Sequence, residues 1–136
     1  MPSSHAQFAA YFSAYLSLFL LLRHQPQPGR TPTPWPLGMR AALALAAGAG
    51  ATVVAASRVY LGYHTAAQAA AGSVAGAFAA VVWFGVTAWV RASGLLQAVV
   101  DSALARALRI RDLLPEEDLA DAGWVRWQTL RRRKAE

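Results

Sequence analysis

Ala66–Val90 reads AAQAAAGSVAGAFAAVVWFGVTAWV, 25 consecutive residues without a single charge. As a helix rising 1.5 Å per residue this run is about 37 Å long, more than the roughly 30 Å of a bilayer's hydrocarbon core. It predicts a membrane-spanning helix, and two more apolar runs lie upstream. Ala6–Leu22 has 17 residues and Ala41–Ala56 has 16, about 25 and 24 Å as helices. Both are marginal alone, but each can extend into neutral or end-placed neighbours, Pro2–His5 in the first case, Leu37–Arg40 and Ser57–Tyr60 in the second. A buried hairpin in a soluble globule would need amphipathic partner helices to cover these surfaces, and residues 1–100 offer none.

Composition agrees. The 136 residues are 56% hydrophobic and 15% charged, against about 25% charged in an ordinary soluble domain. All seven carboxylates, Asp101 to Glu136, lie beyond position 100, whereas residues 1–100 carry Arg23, Arg30, Arg40, Arg58 and Arg91 and no acid. The net charge of +6 (13 Lys and Arg less 7 Asp and Glu) comes from isolated arginines and a terminal cluster. That distribution is unlike the basic stripe of a nucleic-acid binder. The absence of Cys excludes disulfides, zinc fingers and thiol chemistry. With 31 Ala, one Ile, one Lys and no Asn, the spans score as less apolar than Leu-rich ones would, and no N-glycosylation acceptor exists. Met1–Leu22 lacks a basic leading region and a cleavage site before Arg23, so it is not read as a signal peptide.

Charge also orients the spans. Arg23–Arg40 holds Pro26, Pro28, Pro32, Pro34 and Pro36 and is expected to be an extended loop. Its three arginines place it in the cytosol by the positive-inside rule, with the Arg131–Lys134 tail on the same side. Pro2–Gln7 and Ser57–Gln68 then face the opposite side, bringing His5 and His64 there together with Arg58, while His24 is only a loop residue. A lone arginine at that membrane face is a functional candidate by default, the alternative being a side chain that snorkels to the interface. Gly72-Ser73-Val74-Ala75-Gly76 is a small-residue packing motif, expected to serve packing within the chain more than dimerisation. Beyond Arg91 the pattern turns amphipathic: Leu95–Leu114 is expected to form a cytosolic interfacial helix with its arginines toward anionic head groups. Pro115-Glu116-Glu117 reads as a fresh helix start, Trp124 and Trp127 as interface anchors. The expected organisation is an all-α, polytopic membrane bundle of about three spans over 1–91, then a cytosolic amphipathic helix and basic tail over 92–136.

Two histidines, an arginine and serines on one membrane face limit the chemistry. A serine-hydrolase triad needs a carboxylate to orient its histidine, and these segments have none. A divalent metal would find two imidazoles and no acidic or thiolate ligand. Metal-free anion chemistry remains. Arg58 offers a bidentate fork to phosphate, backbone amides near Ser3 and Ser4 can donate further hydrogen bonds, and His5 and His64 can divide the general-acid and nucleophile roles. The suggested reaction is phosphoryl transfer from a lipid to water.

Pro2-Ser3-Ser4-His5 resembles the second signature of the type 2 phosphatidic acid phosphatase superfamily, usually Pro-Ser-Gly-His. Ser57-Arg58-Val59-Tyr60-Leu61-Gly62-Tyr63-His64 resembles the third. The context of both, with Gln7-Phe8 after the first, Thr65 after the second, and Gln68 where most relatives have Asp, is similar to the dolichyl diphosphatase branch. The similarity runs more loosely through Trp83-Phe84 and Ile110-Arg111-Asp112 to the basic tail. The resemblance implies His64 as the nucleophile, His5 as the acid for the leaving group, Arg58 as the phosphate clamp, and Ser3, Ser4, Ser57 and Gln68 as substrate-binding residues. It implies no metal and no cofactor.

By the same resemblance, the expected activity is hydrolysis of a polyisoprenoid diphosphate lipid, dolichyl diphosphate, to dolichyl phosphate. The expected place is the lumenal face of the endoplasmic reticulum membrane, in support of protein N-glycosylation, with the C-terminus cytosolic. The family's first signature, Lys followed by Arg-Pro, is absent ahead of Met1, and the only Lys is Lys134. An N-terminal truncation at an internal Met is the expected reason, a short inactive or co-assembling paralogue the alternative. Another lipid phosphatase of the superfamily is the second functional reading, and a non-catalytic membrane protein the third.

Overall fold

The computed structural model describes residues 1–23, 36–110, 112 and 124–133. Among these it is helical with no strand. Three long helices carry the apolar runs: α1 (Ser4–Leu18) continued by a π-helical turn (Phe19–Arg23), α2 (Leu37–Tyr60) and α3 (Ala66–Ala92). All three are long and apolar enough to cross a membrane. The marginal second run does what its length demands and takes in both Leu37–Arg40 and Ser57–Tyr60. Pro36 stands at its N-cap, and the proline-rich stretch and His24 lie outside the described residues.

These helices form one compact unit, whose described part is 1–23 and 36–96. α1 lies between the other two and packs chiefly on α3, then on α2. The α1–α3 pairing is parallel. Ser3 N–H donates to the Gln68 carbonyl at 3.1 Å at one end, and Arg23 Nη2 donates to the Phe84 carbonyl (3.1 Å) and Thr87 Oγ1 (3.0 Å) at the other. Between them Ala69, Gly72, Gly76 and Ala80 form a buried stripe on α3. At Gly72 a Cβ would stand 2.5 Å from the Ser3 carbonyl oxygen, and at Gly76 one would collide with the carbonyl of Gln7. The small-residue motif is therefore used within the chain. In an apolar solvent there is no hydrophobic gain from helix association, so close backbone approach and dispersion carry it.

α2 runs antiparallel to α1, with Gly48 facing Ser13 midway. Its first turn carries Arg40, 7% exposed, whose Nε donates to the Leu20 carbonyl at 2.6 Å and Nη2 to the Leu21 carbonyl at 3.4 Å. The C-terminal turn of a helix leaves carbonyls without intrahelical donors. Here one guanidinium from the next helix supplies them. Arg23, the last residue of the π turn, also stacks 4.3 Å over Phe84, and Tyr15 meets the same ring edge-on. Replacing Arg40 with Met keeps most of the apolar stem and strands those carbonyls, a loss of about 1–3 kcal/mol for an orphaned buried acceptor. The Arg40→Met protein is expected to unfold at a clearly lower temperature in detergent, followed by size-exclusion after heating. An unchanged midpoint would mean that the carbonyls find other donors.

Beyond α3, the helix expected over Leu95–Leu114 is divided. α4 (Leu95–Val100) and α5 (Ala103–Ala107) are separate, because the Ser102 hydroxyl accepts from Ala105 N–H and starts a new helix. Apolar spacing continues across such a cap, but the backbone does not. α5 then ends with Arg109 at φ 56°. Residues 113 and 114 and the expected start at Pro115 lie outside the described residues. α6 (Trp124–Arg133) carries the basic end, with Arg131 stacked 5.3 Å over Trp127.

Candidate active site

Topology alone gathers the candidates. The N-termini of α1 and α3 and the C-terminus of α2 lie at one end of the three-helix unit, because α2 returns against α1 and a five-residue turn leads straight into α3.

That turn is specified locally. Tyr63 N–H donates to the Arg58 carbonyl (3.1 Å) and Gly62 N–H to the Val59 carbonyl (3.0 Å), the two bonds of a Schellman cap, with Gly62 at φ 73° where a side chain would be strained. His64 N–H also donates to the Arg58 carbonyl, at 3.2 Å. Directly afterwards Thr65 caps α3: its Oγ1 accepts from Gln68 N–H at 3.3 Å and Gln68 Oε1 accepts from Thr65 N–H at 3.2 Å, a reciprocal capping box. Arg58 and His64 are thus tied through one carbonyl by a helix end, a turn and a helix start.

Gln68 Oε1 also stands 3.2 Å from His64 Nδ1. An amide oxygen only accepts, so this contact calls for a proton on Nδ1, and in the neutral tautomer it is then Nε2 that carries the ring lone pair. The backbone carbonyl of the same Gln68 accepts from Ser3 N–H. One residue therefore fixes the imidazole of the second segment and the entry of the first.

The Arg58 side chain is half-buried. Its Nε donates to Ser57 Oγ at 3.3 Å, Ser57 Oγ donates to the Val54 carbonyl at 2.7 Å, and the guanidinium lies 5.7 Å from the Tyr63 ring centroid. Ser57 in this structure braces Arg58. Ser4 and His5 are exposed on the first turn of α1. Ser3 departs from expectation: it is fully buried, and its Oγ accepts from Ala6 N–H as the α1 N-cap. It anchors α1 and has no surface to offer a phosphate. Among the described residues no group of His, Cys, Asp and Glu is arranged to hold a metal ion.

Residues 1–92 match the family model of the PAP2 superfamily. The chain belongs to the PAP2 superfamily. A Neurospora crassa protein described as a dolichyldiphosphatase is 43% identical over 177 residues, which cover 96% of this chain and 63% of the relative. Dolichyldiphosphatase 1 of Homo sapiens is 47% identical over 85 residues, 62% of this chain and 34% of the relative, and that of Dictyostelium discoideum 34% identical over 119 residues, 88% and 49%. The chain thus spans about one third to two thirds of the length of these relatives. No solved structure matches it. Within the PAP2 unit, Gly62, Tyr63 and Thr65, which the sequence offers only as members and context of the third signature, also build the site. Two of them carried a signal: a Gly just past a helix end, and Thr-x-x-Gln ahead of an apolar run.

Proposed function

We propose that this PAP2 chain hydrolyses dolichyl diphosphate to dolichyl phosphate and phosphate without a metal, at the lumenal face of the endoplasmic reticulum membrane and with its C-terminus on the cytosolic side. The carrying observation is the His64 Nδ1–Gln68 Oε1 contact at 3.2 Å, which selects the tautomer whose neutral form has its lone pair on Nε2, on a residue whose backbone N–H donates to the Arg58 carbonyl. The relatives, dolichyldiphosphatases by name, supply the substrate. The family portion is 1–91, and 92–136 is an appended interfacial and basic segment.

His64 Nε2 attacks the terminal phosphorus as the bond to the bridging oxygen breaks. The electron pair leaves on dolichyl phosphate, and His5, entering as imidazolium, donates its proton to that oxygen. Water then attacks the phosphohistidine, the now neutral His5 takes the water's proton, and phosphate departs. Arg58 binds the equatorial oxygens, where charge spreads in the transition state, and Ser57 Oγ and the Tyr63 ring hold its guanidinium in place. Ser4 at the start of α1 is the exposed serine positioned to meet the same phosphate. Gln68 orients the imidazole but brings no charge to stabilise imidazolium, unlike an Asp at that place.

The test is phosphate release from dolichyl diphosphate by membranes containing the chain, with EDTA present throughout. It is run on the chain itself and on a version carrying a Lys and Arg-Pro segment ahead of residue 1. Release in EDTA by either version is the expected result. Release from phosphatidate but not from dolichyl diphosphate would favour a different lipid phosphatase, and release from neither would leave a membrane protein without this activity.

A further inference from the structure

A groove of about 640 Å³ opens between α1 and α2. Its α1 wall is His5, Phe8 and Phe12, one turn apart in succession. Its α2 wall is Val54, Gly50 and Ala47, descending in the opposite chain direction. The face is separate from the one α1 uses against α3, where the Ser3 and Gln7 backbone meets Gly72 and Gly76. His5 to Phe12 spans about 10 Å along the helix, so the groove leads from the signature end into the depth of the apolar span. Phe8 is 71% and Phe12 57% exposed, and the α2 wall is low because Gly50 and Ala47 are small.

We propose that this groove seats the first isoprene units of a polyisoprenoid diphosphate, the tail lying along Phe8 and Phe12 and the phosphates directed to His5. The inference rests on the proposed function and adds a register to it. If His64 attacks the terminal phosphorus, His5 protonates the bridging oxygen, and the lipid tail leaves the site on the His5 side. The groove begins there. A tail in it also reaches the site from the lipid phase without crossing water. A protein helix in the same place would lay apolar surface over Ser4 and His5 and leave their polar groups unpaired, whereas a phosphate ester pairs with them. Aromatic rings facing small residues leave width for the methyl branches of an isoprenoid.

Gly50 allows a direct test, because it lines the groove and a Cβ there meets nothing within 4 Å, so a side chain added at this position starts into open space. The protein in its native membrane is photolysed with a farnesyl diphosphate analogue carrying a diazirine in its second isoprene unit, and adducts are mapped by mass spectrometry. Adducts on the α1 and α2 segments around Phe8, Phe12 and Ala47, depleted in Gly50→Phe, are expected. In parallel, Gly50→Phe should raise the ratio of KM for farnesyl diphosphate to KM for methyl diphosphate about tenfold, since it displaces buried isoprene carbons. Adducts confined to other faces, or a KM ratio unmoved by Gly50→Phe, would overturn the proposal. Phe12→Ala guards against a misfolded variant: it widens the groove and is expected to move adducts toward Ala47, and an unchanged adduct map would count against the groove. Cross-linking needs no turnover, so groove adducts on a protein that releases no phosphate would sink the proposed function and leave the binding site standing.

Discussion

Replacing His64 with alanine should lower phosphate release from dolichyl diphosphate by about 10⁴-fold or more, the scale on which removal of a covalent nucleophile acts. The ring is half-buried and its residue is held in the turn by a backbone N–H on the Arg58 carbonyl at 3.2 Å, which alanine retains. The Thr65–Gln68 capping box is also independent of the ring. The variant should therefore reach the membrane and elute from detergent as the parent does, so that lost activity reports on chemistry. A substrate labelled with ³²P at the terminal phosphate separates the roles further. A rapid quench should trap label on the chain that is stable to alkali and labile to acid, mapping to His64 and absent from His64→Ala. A His64→Ala protein with activity within tenfold of the parent, or label on another residue, would remove His64 from the nucleophile's place.

Much of this architecture can be read from residue order, and the exceptions have physical reasons. The three spans follow from length and the absence of charge, including the extension of α2 through Leu37–Arg40. Gly72 and Gly76 announce close packing, but a small-residue stripe does not say which helix fills it. Only the fold shows that the filler is the backbone of Ser3, Gln7 and Tyr11. Arg40 reads as a loop-end cation that marks the cytosol. Its burial depends on carbonyls at the end of α1, where the π turn Phe19–Arg23 carries no sequence signal. The amphipathic spacing of Leu95–Leu114 suggested one helix because apolar periodicity does not register a serine that caps a second one. At the site, Gln68 opposite His64 follows from a separation of four residues, which puts both on one side of a helix start. The burial of Ser3 does not follow: a serine before a helix fits a cap and a phosphate ligand equally well, and the contact with Gly72 decides between them.

Gly76 joins fold and chemistry in a single substitution. A Cβ there would collide with the Gln7 carbonyl and come within 3.0 Å of Tyr11 N. Both are backbone atoms of a helix, which cannot swing aside as a side chain can, so Gly76→Val has to push α1 away from α3. Overpacking of this kind costs about 1–3 kcal/mol, and the displacement is carried along a rigid helix to its first turn, where Ser3 N–H meets the Gln68 carbonyl and His5 follows two residues later. A shift of about 1 Å between reacting groups is enough to cost roughly 10²-fold in rate. Gly76→Val is expected to lose about that much phosphate release and to unfold at a lower temperature. Gly85 supplies the control on the same helix, because a Cβ there meets nothing within 4 Å. Gly85→Val adds the same apolar bulk to α3 and should keep both properties near those of the parent. If the two valine variants behave alike, the parallel α1–α3 contact does not set the distance between His5 and His64, and the site would have to be held together by the α2 turn alone.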